Sequence, residues 1–178
     1  MRLYGTKTLT DRSGAWTVLE RGAKEYWGVS GLPAVEREPG GKPRFSGDTK
    51  HQFNLSHSGA FALCVLDDAP VGVDIQIVKT NWRESLPRRV CSGEELTWLE
   101  GQPDRWAAFT LLWSMKESRV KQSGLGLRMS IPAIRVPLPQ EGRSLYRLDG
   151  LWFRLYTGEG WAACVCGEQE PPEDIVWL

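Results

Sequence analysis

Apolar residues change their period along this chain, and each change marks an element. Between Asp11 and Trp27 the apolar positions Ala15, Trp16, Val18 and Leu19 predict a helix, and Gly28 ends it. Residues 31–50 carry Gly, Pro and charge instead of a period, which predicts a loop with short extended pieces. Two strand-like runs follow, Gln52–Ser56 and Ala60–Leu66, around His57-Ser58-Gly59 as a hairpin turn. Asp67-Asp68-Ala69-Pro70 breaks the chain, and Val71–Val78 reads as a strand rich in β-branched residues. The second part opens with helical segments. Ser92-Gly93-Glu94-Glu95 fits a capping box. A longer helix is predicted from near Pro103 to Gln122, with Phe109, Trp113 and Val120 at helical spacing and Ser123-Gly124 as its stop. After Gly126 the pattern turns to strands around Ile131–Val136, Ser144–Leu148, Leu151–Tyr156 and Trp161–Cys166, with Asp149-Gly150 as a hairpin signal. Helix plus antiparallel strands in both parts is an α+β pattern.

The chain of 178 residues is long enough for one well-buried core, or for two small halves that share one. Its formal net charge is zero, so no global basic field points to nucleic acid. The charge is unevenly spread. Arg105, Lys116, Arg119, Lys121 and Arg128 surround the Trp113 helix, while the stretch from Glu159 onward has acids and no Lys or Arg. A local basic helix in a neutral protein suits a small phosphorylated ligand better than a long polyanion. No stretch is apolar enough to cross a membrane, and Met1–Lys7 lacks the apolar core of a signal peptide. Cys64, Cys91, Cys164 and Cys166 show no C-x-x-C spacing, so reduced core cysteines of a cytoplasmic protein are expected over a zinc site or a disulfide.

Four places carry candidate chemistry. Glu117 lies four residues after Trp113 on the same helix face, and Lys121 is one turn further on. A carboxylate at the edge of a buried face needs a cation, either Lys121 or a metal ion. Asp74 interrupts an apolar strand and shares its side with Gly72 and Gln76. It reads as a magnesium ligand with room for a ligand over Gly72, or as an aspartate that caps a turn. Ser56-His57-Ser58 offers hydroxyls and an imidazole as a phosphate cradle, or is a plain polar turn. Lys42 and Arg44, around Pro43, hold a phosphate or form a solvated basic turn, and the spacing is not that of a Walker loop.

Taken in order, G-K-P at Gly41-Lys42-Pro43, N-L-S-H-S at 54–58, G-V-D-I at 72–75 and W-S-M-K-E-S-x-x-K-Q-x-G-x-G-L from Trp113 to Leu127 resemble the 4′-phosphopantetheinyl transferase superfamily. The order and spacing are similar to its two-half, surfactin-synthetase-activating type. The resemblance runs from about Gly41 to Leu127, roughly half the chain. It implies a pseudo-twofold pair of α+β halves in one chain, 1–70 and 71–178, with the ligand cleft between them. It further implies transfer of the 4′-phosphopantetheine arm of coenzyme A to a serine of an apo acyl or peptidyl carrier protein, in the cytoplasm, by a monomer.

By the same resemblance Asp74 and Glu117 hold Mg²⁺ on the pyrophosphate, with Gln76 where many relatives have a second acid. Glu117 takes the proton from the carrier serine, and Lys121 stabilises the leaving bisphosphate. Lys116 assists with the phosphates, Ser56 and His57 bind the 3′-phosphate, and Lys42 and Pro43 line the adenine and ribose. The chain is short before Gly41, where relatives place further basic residues, so looser coenzyme A binding is expected. A non-catalytic relative that binds coenzyme A or a carrier protein is the alternative. A nucleic-acid partner, resting on the basic helix and the tryptophans alone, is not expected.

Overall fold

The computed structural model describes residues 1–11, 13–126 and 130–178, so Leu127 and Arg128 lie outside the described residues. The chain begins with β1 (Arg2–Thr6), α1 (Gly14–Trp27), the hairpin β2 (Val35–Arg37) and β3 (Pro43–Phe45), then β4 (Gln52–Ser58), β5 (Phe61–Asp67) and β6 (Val71–Ile77). It continues through α2 (Leu86–Val90), α3 (Gly93–Glu100), α4 (Arg105–Ser123), β7 (Leu145–Leu148), β8 (Leu151–Gly158), β9 (Trp161–Gly167) and β10 (Val176–Trp177). Two four-stranded sheets result, one ordered β10-β1-β5-β4 and the other β6-β9-β8-β7.

The sheets are covered because their inner strands, β5 and β9 above all, are apolar on both faces. Leu3, Leu63 and Val65 of the first sheet pack against Val71, Val73, Ile75 and Val165 of the second. On the outside of the first sheet Val18 and Leu19 of α1 meet Tyr4, Phe53, Cys64 and Leu66. On the outside of the second, Phe109, Leu112 and Met115 of α4 meet Phe153, Cys164 and Cys166. The order of layers is therefore helix, sheet, sheet, helix, an α+β arrangement. Buried fully, the four cysteines are free thiols, and Cys164 and Cys166 do share a face.

Local signals placed most elements well. Gly28 closes α1 with φ 70°, and Asp149 and Gly150 take φ 51° and 81° in the β7–β8 turn, as a two-residue hairpin of this hand requires. Both bonds of the Ser92–Glu95 capping box are present. Two expectations change, and one strand joins that the sequence did not predict. The turn between β4 and β5 is Gly59-Ala60, because Ser58 still pairs with Phe61, so His57 and Ser58 belong to the strand. Residues 131–136 hold a 3-10 turn at Ile131–Ala133 and no strand, since Pro132 lacks the amide a ladder needs. The acid-rich tail adds β10 in parallel to β1, so the chain ends in the sheet where it began. Buried Arg154 anchors the crossing by donating to Pro171 O and Glu170 Oε1, both at 2.8 Å.

Candidate active site

β6 is an edge strand, and its free edge is closed by side chains instead of by another strand. Asn54 Oδ1 accepts from Val73 N (3.0 Å), Ser56 Oγ from Ile75 N (3.2 Å) and Ser58 Oγ from Ile77 N (3.1 Å). Alternate residues of β4 thus meet alternate amides of β6. Two lysines serve the carbonyls of the same edge. Lys42 Nζ donates to Val71 O at 2.9 Å, and Lys121 Nζ donates to Val73 O at 3.1 Å. Backbone groups that would be orphaned at a buried edge are satisfied in this way. Nothing in the sequence motifs announces this seam. Its one available signal is the polar alternation Asn54, Ser56, Ser58 between apolar Phe53 and Leu55.

Asp74 sits in the middle of the seam and is 2% exposed. Its Oδ1 accepts from Ser56 Oγ at 2.8 Å and from Lys121 Nζ at 2.7 Å, and its Oδ2 accepts from Gln76 Nε2 at 2.8 Å. Ser56 also accepts from Lys121 at 3.0 Å, so its one donor and two lone pairs are all used within the protein. His57 points to the opposite face of β4 and is exposed.

Gly72 has a different purpose from the one expected. A Cβ there would lie 2.0 Å from Ser118 O and 2.4 Å from Gln122 N. The missing side chain admits helix α4, not a ligand. That close approach carries Lys121 down to Asp74.

Lys121 is therefore committed to Asp74, and among the described residues no ion pair reaches Glu117. Burial pushes the Glu117 carboxyl above its ordinary pKa, the neighbouring Asp74 charge pushes it further, and Lys121 partly offsets both. Asp74 is bound by both Gln76 and Lys121, and the charges of Asp74 and Lys121 are felt at Glu117. A cavity of about 220 Å³ opens beside Lys121 and is walled also by Lys42, Pro43, Asn54, Gly124 and Gly126 among others, but not by Asp74, Gln76 or Glu117. Burial lowers the Lys42 pKa, with Glu38 opposing that effect. A larger cleft of about 370 Å³ lies between the start of α3 and β7 and includes none of these residues.

The model of the 4′-phosphopantetheinyl transferase superfamily matches residues 70–166. The chain belongs to this superfamily. It is 33% identical over 146 residues to the 4′-phosphopantetheinyl transferase Sfp of Bacillus subtilis strain 168, covering 78% of this chain and 65% of that one. The 4′-phosphopantetheinyl transferase psf-1 of Bacillus pumilus is 36% identical over 115 residues, or 64% of this chain and 49% of its own. The 4′-phosphopantetheinyl transferase AcpT of Salmonella typhi is 41% identical over 116 residues, or 62% and 59%. The chain spans about half to two thirds of the length of these relatives.

Within the superfamily frame, the structure groups Asp74, Gln76, Lys121 and Ser56 in one hydrogen-bonded seam, with Lys42 and Pro43 along the adjoining cavity, while Glu117 feels the charges of Asp74 and Lys121 without a hydrogen bond to either. It separates Lys116 from them. The Lys116 side chain is 1% exposed and pairs with Glu95 at 2.9 Å. The basic helix is also less of an anion trap than its sequence suggests. Arg105 pairs with Glu84 and Arg119 with Asp149, so its described cations are balanced by acids; Arg128 lies outside the described residues. Among these residues no group of three or more His, Cys, Asp or Glu could hold a metal. No helix among them is long and apolar enough to cross a membrane.

Proposed function

We propose that this chain transfers the 4′-phosphopantetheine arm of coenzyme A to a serine of an apo acyl or peptidyl carrier protein, releasing adenosine 3′,5′-bisphosphate. The convergence of Asp74, Glu117 and Lys121 beside the Lys42–Pro43 cavity supports this most strongly. In this reading the halves 1–70 and 71–178 frame the ligand cleft. Lys42 and Pro43 lie against the adenine and ribose, and His57, with Ser56 behind it, faces the 3′-phosphate.

Asp74, Glu117 and Gln76 would hold Mg²⁺. The donor set fits: oxygen ligands without thiolate or imidazole suit a hard cation, which takes one or two protein carboxylates and completes its shell with phosphate and water. Magnesium, when bound, offsets the charge of the pyrophosphate. Glu117 accepts the proton of the carrier serine, a task for which its raised pKa makes it a better base than an ordinary carboxylate. The serine oxygen bonds to the phosphorus that carries pantetheine. The bond from that phosphorus to the bridging oxygen breaks, and the bisphosphate leaves with the electron pair. Lys121 meets the charge on that leaving group from its place on Asp74. The two-half organisation favours a monomer, the free buried cysteines favour the cytoplasm, and the zero net charge speaks against a nucleic-acid partner.

The test is the intact mass of several apo carrier proteins after incubation with this protein, coenzyme A and Mg²⁺. A gain of one phosphopantetheine arm, absent with Glu117→Ala, is the expected result. Coenzyme A binding without any carrier modified would instead establish the accessory, non-catalytic reading that Gln76 motivates.

A further inference from the structure

Three aromatic rings lie together outside the seam and outside the Lys42–Pro43 cavity. Phe61 opens β5, Trp161 opens β9 and Trp177 lies in β10, so strands of both sheets bring them to one end of the inter-sheet core. The centroids of Phe61 and Trp161 are 5.6 Å apart, those of Trp161 and Trp177 6.0 Å, and those of Phe61 and Trp177 6.5 Å. Trp177 stands at 79° to Trp161 and at 64° to Phe61, which makes a corner and not a stack. Glycines hold the corner in place. A Cβ on Gly158 would lie 2.4 Å from Trp161 Nε1, and one on Gly5 would lie 2.7 Å from Trp177 Cζ3, so each indole rests against bare backbone. All three rings are only half-buried.

The corner already holds a cation. Exposed Lys7 places its Nζ over the Trp177 ring, 4.6 Å from the centroid. The quadrupole of an aromatic face attracts an ammonium group. Around this pair opens a hollow of about 850 Å³, where Leu155 and Ile175 add apolar wall and exposed Glu159, Glu173 and Asp174 add charge. Among the described residues no ion pair reaches Lys7 or any of these three acids. Three acids against one lysine leave the hollow with a surplus of negative charge. The rings thus offer faces to a cation, and the acids set the sign of what enters.

We propose that this hollow is a docking site for a basic segment of a partner protein, with a lysine ammonium of the partner taking the place on Trp177 that Lys7 holds. Hollows of about 300–1,000 Å³ accept drug-sized ligands, so this one exceeds what a single small ammonium ion fills. Its acids come from two separate turns, at 159 and at 173–174, and suit a segment with more than one cation. Lys7 is the internal competitor, which covers the ring face in the free protein and yields it to the partner. No residue of the hollow belongs to the groups assigned to coenzyme A or to transfer, so the proposal does not depend on that reading.

The experiment follows the indole N–H signals of Trp161 and Trp177 by NMR in the full chain. The probes are a blocked five-residue peptide with two lysines, the same peptide with both lysines acetylated, and tetramethylammonium. The charged peptide should shift both signals and bind at least about tenfold more tightly than its acetylated form, which keeps the chain and loses the cations. Lys7→Met should tighten binding about threefold or more by removing the competitor, and Trp177→Leu should weaken it at least about tenfold. The variant Glu159→Gln/Glu173→Gln/Asp174→Asn should also weaken it at least about tenfold. It alters only exposed side chains and keeps every ring, so wild-type affinity in that variant overturns the proposal even if Trp177→Leu does not fold. Absence of any shift at about 5 mM charged peptide overturns it as well. So does equal binding of the acetylated peptide, an unchanged affinity in Lys7→Met, or tetramethylammonium binding as tightly as the charged peptide.

Discussion

Replacing Gly72 by alanine tests whether direct contact between α4 and the backbone of β6 builds the site. The added methyl would meet three backbone atoms of the helix, at 2.0 Å from Ser118 O, 2.4 Å from Gln122 N and 3.0 Å from Lys121 C. None belongs to a flexible side chain that could turn aside. Ordinary contact begins at 3.4 Å, so strand and helix must part by about 1.4 Å along the shortest line. Lys121 lies on the helical turn that moves. Its bonds to Asp74 (2.7 Å) and Ser56 (3.0 Å) would stretch beyond hydrogen-bond range. Overpacking costs about 1–3 kcal/mol, and the loss of a charged partner from buried Asp74 adds about 1.5–3 kcal/mol. At roughly 2–4 °C per kcal/mol for a chain of this size, the melting temperature should fall on the order of 10 °C. A displacement of about 1 Å at reacting groups should also lower the transfer rate about a hundredfold. Gly93→Ala is the control. It opens α3, and a Cβ there meets nothing within 4 Å, so neither stability nor rate should decline. Circular dichroism melts and carrier loading measured by mass read the two effects. A Gly72→Ala protein with wild-type melting temperature and rate would refute the account of how α4 is seated.

Three further outcomes follow from the same region. Ser56→Ala leaves Ile75 N without its acceptor and takes one partner from Asp74, so unfolding in urea should show a loss of about 1–3 kcal/mol, and an unchanged midpoint would show that the ladder is dispensable. Glu117 titrates above the ordinary carboxylate range because of burial and Asp74, so its neutral form is favoured by folding. Its contribution is thus fully favourable below the unfolded carboxylate pKa and is lost as pH rises through the raised folded value. Glu117→Gln should therefore raise the melting temperature of the metal-free protein at neutral pH, with little effect in acid. The wild-type transfer rate should fall with acid at a pH above that of an ordinary carboxylate. A stability gain that is the same at both pH values would contradict the sign.

What near neighbours decide is legible in the amino-acid sequence. Gly28 and Gly124 stop their helices, Asp149-Gly150 turns its hairpin, and Ser92 with Glu95 caps α3, because each depends on groups within a few residues. Strand alternation likewise puts Asp74 on one face with Gly72 and Gln76. The tertiary structure alone decided what that face meets. Gly72 reads from sequence as space for a ligand, and the fold fills it with α4. Ser56 reads as a phosphate ligand, and the fold sets it between Ile75 N, Asp74 and Lys121. Lys116 and Lys121 look alike on one helix, but Glu95 claims the first and Asp74 the second, through contacts between distant parts of the chain. The two-residue strand β10 is too short to show a period and exists only because β1 offers it an edge. Periodicity and turn chemistry are local free energies, written in adjacent residues. The partner that satisfies a buried charge or an open strand edge is set by packing between elements, and no window along the sequence contains it.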